Sequence, residues 1–155
     1  MAVNDKSQER RTRSLAMVKK LVASRTDMLS LFNKLAGKKP FKNEDEAIEI
    51  LSEFSASLVD YTANAHFQLY RYFAENRERR SEVLEVADRI YPRIIDITQR
   101  ILDFNDKYDS EDMRRAQIGQ LEKDLSTLGE TLAERIDLED QLIDIFSGSG
   151  SIRAA

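Results

Sequence analysis

The sequence predicts an all-α protein: an up-down bundle of four long helices, the third kinked at Pro92. Three observations carry this. Apolar residues recur at three- and four-residue spacing through most of the 155 residues, the signature of amphipathic helices. No stretch alternates apolar and polar residues as a half-buried strand would. The breaks between periodic stretches are short and polar, which suits antiparallel neighbours in a bundle.

The elements follow in order. Residues 1–13 lack periodicity and are expected to form a flexible basic arm. The first helix covers 14–36, with Leu15, Val18, Val22, Met28, Leu29, Phe32 and Leu35 as its apolar stripe and Arg25 inside that stripe. Gly37 and Pro40 stop it, Gly37 being free to take a left-handed backbone and Pro40 unable to continue the helix. The second helix covers 43–75, with Asn43 as N-cap and Glu44, Asp45 and Glu46 at the positive end of its dipole. It is expected to be about 50 Å long, a length typical of bundles.

A polar link, 76–80, leads to a third helix over 81–107 capped by Ser81. Val83, Ile90, Ile97 and Phe104 repeat there every seven residues, and Leu84, Tyr91, Ile94 and Ile101 widen the face. Pro92 removes one backbone hydrogen bond and predicts a kink, the alternative being a break into two helices. A fourth helix starts at Asp109 or Ser110 and runs to Phe146 on a stripe of Ile118, Leu121, Leu125, Leu128, Leu132 and Leu142. The Gly/Ser-rich tail 147–155 reads as flexible. Residues 14–146 are thus one helical domain.

Composition narrows the chemistry. The absence of cysteine excludes disulfides, thiolate metal sites and a cysteine nucleophile, and a single histidine argues against a His-rich metal centre. No Glu-x-x-His pairs occur on two helices, as a di-metal carboxylate bundle requires. No catalytic residue, metal or cofactor is therefore expected. The apolar runs are too short for a membrane span and no signal peptide is evident, so the expected location is the cytoplasm.

The net charge of −4 is unevenly spread. Residues 1–42 carry eleven Lys/Arg against three Asp/Glu, whereas 43–75 carry Arg71 alone against seven acids. An acidic second helix points to a basic protein partner rather than to nucleic acid.

Two groups of residues stand out as candidate sites. Arg135 and Glu139 fall on the buried stripe of the fourth helix one turn apart. Arg25 takes the equivalent place on the first helix, His66 lies at the edge of the second helix's stripe, and His66 or Tyr91 completes the group. Buried charges must be paired, since an unpaired one costs several kcal/mol. A buried polar layer of Arg25, His66, Tyr91, Arg135 and Glu139 follows. It can be structural, a small-anion site, or catalytic, and no nucleophile–base pair accompanies it.

The second group lies on the second helix within and around 58–70. Leu51, Leu58, Thr62, Ala65 and Leu69 share its core stripe, while Ala56, Asp60, Ala63, Asn64, Phe67 and Arg71 cluster opposite. An aromatic among small residues with an acid beside it suits a docking surface; cover by the basic arm or a neighbouring helix is the alternative.

Several pieces of the chain resemble a known family. They are Leu58-Val59-Asp60-Tyr61, Ala65-His66-Phe67 with Tyr70, Ile90-Tyr91-Pro92, Phe104-Asn105-Asp106, Leu128-Gly129, Glu134-Arg135, Leu138-Glu139-Asp140 and Leu142-Ile143. In order and spacing these resemble the regulator of sigma D (Rsd/AlgQ) family of bacterial anti-sigma factors, over about 15–146. The resemblance implies a four-helix bundle that grips region 4 of the primary sigma factor, with Asp60 and Phe67 at the contact. It implies one chain per complex, with weak self-association possible in the free state. Two positions depart from the family's pattern: Leu21 stands where the family tends to have tryptophan, and Asn64-Ala65 replaces a small Ala-Gly pair. Other expectations left open are an adaptor for another sigma factor or signalling protein, and a small-anion-binding bundle.

Overall fold

The computed structural model describes residues 2–76 and 81–147. They form α1 (Ala2–Ala36), α2 (Glu44–Asn76), α3 (Ser81–Lys107), α4 (Glu111–Ala116) and α5 (Leu121–Ser147), with a short 3-10 turn at Ile118–Gln120 between the last two. The described residues contain no strand, and the fold is all-α. The expected link at 77–80 and all of the expected tail but Ser147 lie outside the described residues.

Local chemistry sets the ends of the elements. The Asn43 side chain accepts a hydrogen bond from Glu46 N at 3.1 Å, so Asn43 is the N-cap of α2. Helix α1 ends where Gly37 and Lys38 donate back to Asn33 and Leu35. Phe41, not Gly37, takes the left-handed backbone, at φ 58. That conformation costs a residue with a side chain roughly 1–2 kcal/mol; burial of the Phe41 ring in the core offsets it.

Two expectations about the elements change, and one alternative falls. Helix α1 begins at Ala2, so residues 2–13 extend it instead of forming a separate arm. Helix α3 is continuous through Pro92, whose ring is exposed, and does not break in two. The fourth helix is two. Ser110 caps α4, accepting from Met113 N at 3.2 Å. That helix buries no residue, so no apolar stripe holds it in line with α5. Gly119, a weak helix former, lies in the turn that follows.

Four long helices supply the core, two apolar clusters that share Leu138 at their border, and a few contacts fix the register. The rings of Phe32 and Phe54 lie 5.8 Å apart, and those of Phe54 and Phe104 6.2 Å apart. Leu69 clusters with Ala87 and Ile90, so α2 and α3 run antiparallel. Arg25 reaches Asp140 while Phe32 crosses Gly129, which sets α1 antiparallel to α5. Lys107 reaches Asp124 and Thr98 meets Arg135, which does the same for α3 and α5. The ring order is α1, α2, α3, α5. Packing is most extensive between α1 and α2 and between α3 and α5, leaving slighter seams at α1/α5 and α2/α3.

The core stripes largely follow the sequence pattern. Leu51, Leu58, Thr62, Ala65 and Leu69 are all buried, as are Ile90, Ile94, Ile97, Ile101 and Phe104 on α3. On α1 the stripe shifts: Leu21, Met28 and Leu35 are buried, while Leu15 and Val22 are exposed. Both exposed residues lie N-terminal to the Arg25–Asp140 crossing, where α5 is approaching its end.

Candidate partner-binding face and the polar layer beneath it

The outer face of α2 is built by helical geometry. With Leu58, Tyr61 and Ala65 anchored in the core, the residues about half a turn away must face outward. Ala56, Asp60, Ala63, Asn64, Phe67 and Arg71 are all exposed. Phe67 is the extreme case, a phenylalanine with 61% of its surface exposed. Among the described residues, none covers most of its ring. Glu49 and Glu53 extend the same face toward the start of α2 and are also exposed. The face is thus acidic, with one projecting aromatic.

Beneath this face lies the polar layer, and its membership differs from the sequence expectation. Arg135 and Glu139 are both fully buried and paired, Nε to Oε1 at 2.9 Å. Arg25, largely buried, sits 3.7 Å from Glu139 Oε2 and 3.0 Å from Asp140 Oδ1. His66 is exposed and so lies outside the buried layer, whereas Tyr91 is half-buried. The reason is angular: Ala65 holds the core position, which turns His66 outward one residue later.

Two residues that the sequence pattern had not singled out complete the layer. The Tyr61 hydroxyl donates to Glu139 Oε1, and Arg135 Nη1 donates to Thr98 Oγ1. The Arg135 guanidinium also lies 5.9 Å from the centre of the Tyr61 ring. The available signal was the phenol of Tyr61 inside the α2 core stripe, a polar group that burial obliges to find a partner.

Electrostatics follow from burial. Desolvation pushes the Glu139 carboxyl above its usual range, against the pull of Arg135, Tyr61 and Arg25. Burial likewise raises the Tyr61 phenol, reinforced by the neighbouring Glu139. Among the described residues, no cluster of His, Asp and Glu is arranged to hold a metal ion. With its charges directed at each other, the layer pins α5 to α1, α2 and α3.

The whole bundle matches one protein family. A family model described as "Regulator of RNA polymerase sigma(70) subunit, Rsd/AlgQ" covers residues 1–147. The chain belongs to the Rsd/AlgQ family. Among relatives, a regulator of sigma D from Salmonella arizonae is 33% identical over 121 residues, 77% of this chain and 74% of that protein. Proteins of the same name from Yersinia enterocolitica and Yersinia pseudotuberculosis are 30% and 31% identical over 123 residues. Those matches span 77% of this chain and 74% and 73% of the relatives. No solved structure matches the chain. No helix among the described residues is long and apolar enough to cross a membrane.

Proposed function

We propose that this Rsd/AlgQ member is an anti-sigma regulator that binds region 4 of the primary RNA polymerase sigma factor through the outer face of α2. The observation that carries the reading is the exposed Phe67 with Asp60 two turns before it on the same acidic helix face. A DNA-reading domain is basic on its working surface. The acids of α2 draw that surface in, and Phe67 anchors it. Occupied in this way, region 4 reaches neither the −35 promoter element nor core polymerase. The protein acts in the cytoplasm by mass action on free sigma, without chemistry of its own.

The test is titration of a purified region 4 fragment with wild type, Asp60→Ala and Phe67→Ala. Burying a phenylalanine contributes roughly 1.5–3 kcal/mol, so Phe67→Ala should weaken binding at least about tenfold. Circular dichroism should stay helical, because neither side chain supports the core. Native affinity in both variants overturns the face assignment. Capture of a different protein from lysate, with no binding to region 4, favours an adaptor of another specificity.

A further inference from the structure

The slight α2/α3 seam carries three exposed aliphatic side chains: Val59 at 40%, Ile95 at 52% and Leu102 at 39%. The Phe54–Phe104 contact and the Leu69 cluster set an antiparallel register that brings Val59 level with Gln99, between Ile95 and Leu102. Arg93 and Lys107 bond to α5, so their flank of α3 faces α5. At about 100° per residue, Ile95 and Leu102 fall on the other flank, toward α2. The three side chains therefore stand within about two helical turns along one seam.

Two further features say what fits there. Ala56 and Ala63 lie between Val59 and the Asp60–Phe67 pair around α2, so only methyl groups separate the seam from the docking face. The flanking charge is acidic, with Glu49, Glu53 and Asp60 exposed on α2 and Asp106 exposed on α3. The cations Arg93 and Arg100 of α3 are held in ion pairs with Glu134 and Asp96.

We infer that the α2/α3 seam is the second half of the docking face, seating the apolar side of one helix from the same basic partner. An amphipathic helix laid in an apolar groove is a recurrent mode of recognition, and its basic residues here would meet acids on both rims. This inference rests on the region 4 reading above.

The cysteine-free chain gives a clean test. Single-cysteine variants Leu102→Cys and Val22→Cys, the latter beside the α1/α5 seam, are alkylated with a maleimide with and without saturating region 4 fragment. Protection of position 102 by at least about tenfold, with position 22 unchanged, supports the seam. The fragment is also titrated with Leu102→Asp and Ile95→Asp, each expected to weaken binding at least about tenfold for the loss of one buried aliphatic contact. Native affinity in both, with Asp60→Ala defective, overturns the seam and leaves the α2 face standing. Absence of binding by the wild type overturns both. If an aspartate variant fails to fold, the protection ratio decides, and equal protection at 102 and 22 overturns the seam.

Discussion

Arg135 and Glu139, one turn apart on α5, form an ion pair with no solvent exposure on either side chain. Tyr61 from α2 and Thr98 from α3 close it from two other helices, and Arg25 from α1 stands at its edge. A pair of this kind is more informative when broken than when counted. Desolvation offsets much of its attraction, but removing one partner strands the other charge.

Arg135→Ala is therefore expected to destabilise by about 3–5 kcal/mol. In a chain of this size that lowers the melting temperature by roughly 10 °C. The double variant Arg135→Met with Glu139→Leu should recover part of the loss, since no buried charge is left unpaired although the Tyr61 hydroxyl loses its acceptor. Thermal melts of the three proteins check this, and an unchanged Arg135→Ala melt would show that the layer is not structural.

Tyr61 and Tyr108 should be silent in a phenol titration. Burial raises both, with Glu139 adding to the effect at Tyr61 and the Asp124 hydrogen bond at Tyr108. Absorbance at 295 nm should show these two ionising only as the chain unfolds in alkali. Tyr61→Phe and Tyr108→Phe each remove amplitude from that late phase alone.

Asp124 predicts a loss of stability in acid. Burial works against its charge, but hydrogen bonds from Lys107 and Tyr108 prevail and hold the carboxyl below its ordinary value. The unfolded state then binds the proton more tightly than the folded one. Its contribution is present above the unfolded value of 3.8 and is lost as pH falls through the lower folded value. Asp124→Asn should flatten the melting temperature against pH on the acid side, while a curve parallel to wild type would refute the assignment.

At Gly129 the Phe32 ring of α1 packs against α5. A Cβ there would lie 3.1 Å from Cζ of Phe32, so the ring must shift by a few tenths of an ångström. Gly129→Ala gains roughly 0.5–1 kcal/mol of helix propensity against that contact and should be near neutral. Gly129→Leu should lose about 1–3 kcal/mol by overpacking. Denaturant melts of both variants measure the difference.

Much of this was legible in the chain, because a helix repeats its environment every turn. The spacing of Leu51, Leu58, Thr62, Ala65 and Leu69 determined the core side of α2, and hence that Asp60 and Phe67 face away from it. The buried place of Arg135 and Glu139 followed from the same arithmetic on α5. Periodicity says which side a residue is on but not what stands opposite it. Only the packed bundle decided that Tyr61 and Thr98 join the polar layer and that His66 turns out of it. Their meeting with Glu139 and Arg135 depends on the register between helices far apart in sequence. The break after α4 and the exposure of Leu15 and Val22 were tertiary in the same sense, set by where α5 starts and stops beside its neighbours. Local spacing fixes faces; the meeting of faces is fixed only when the four helices pack together.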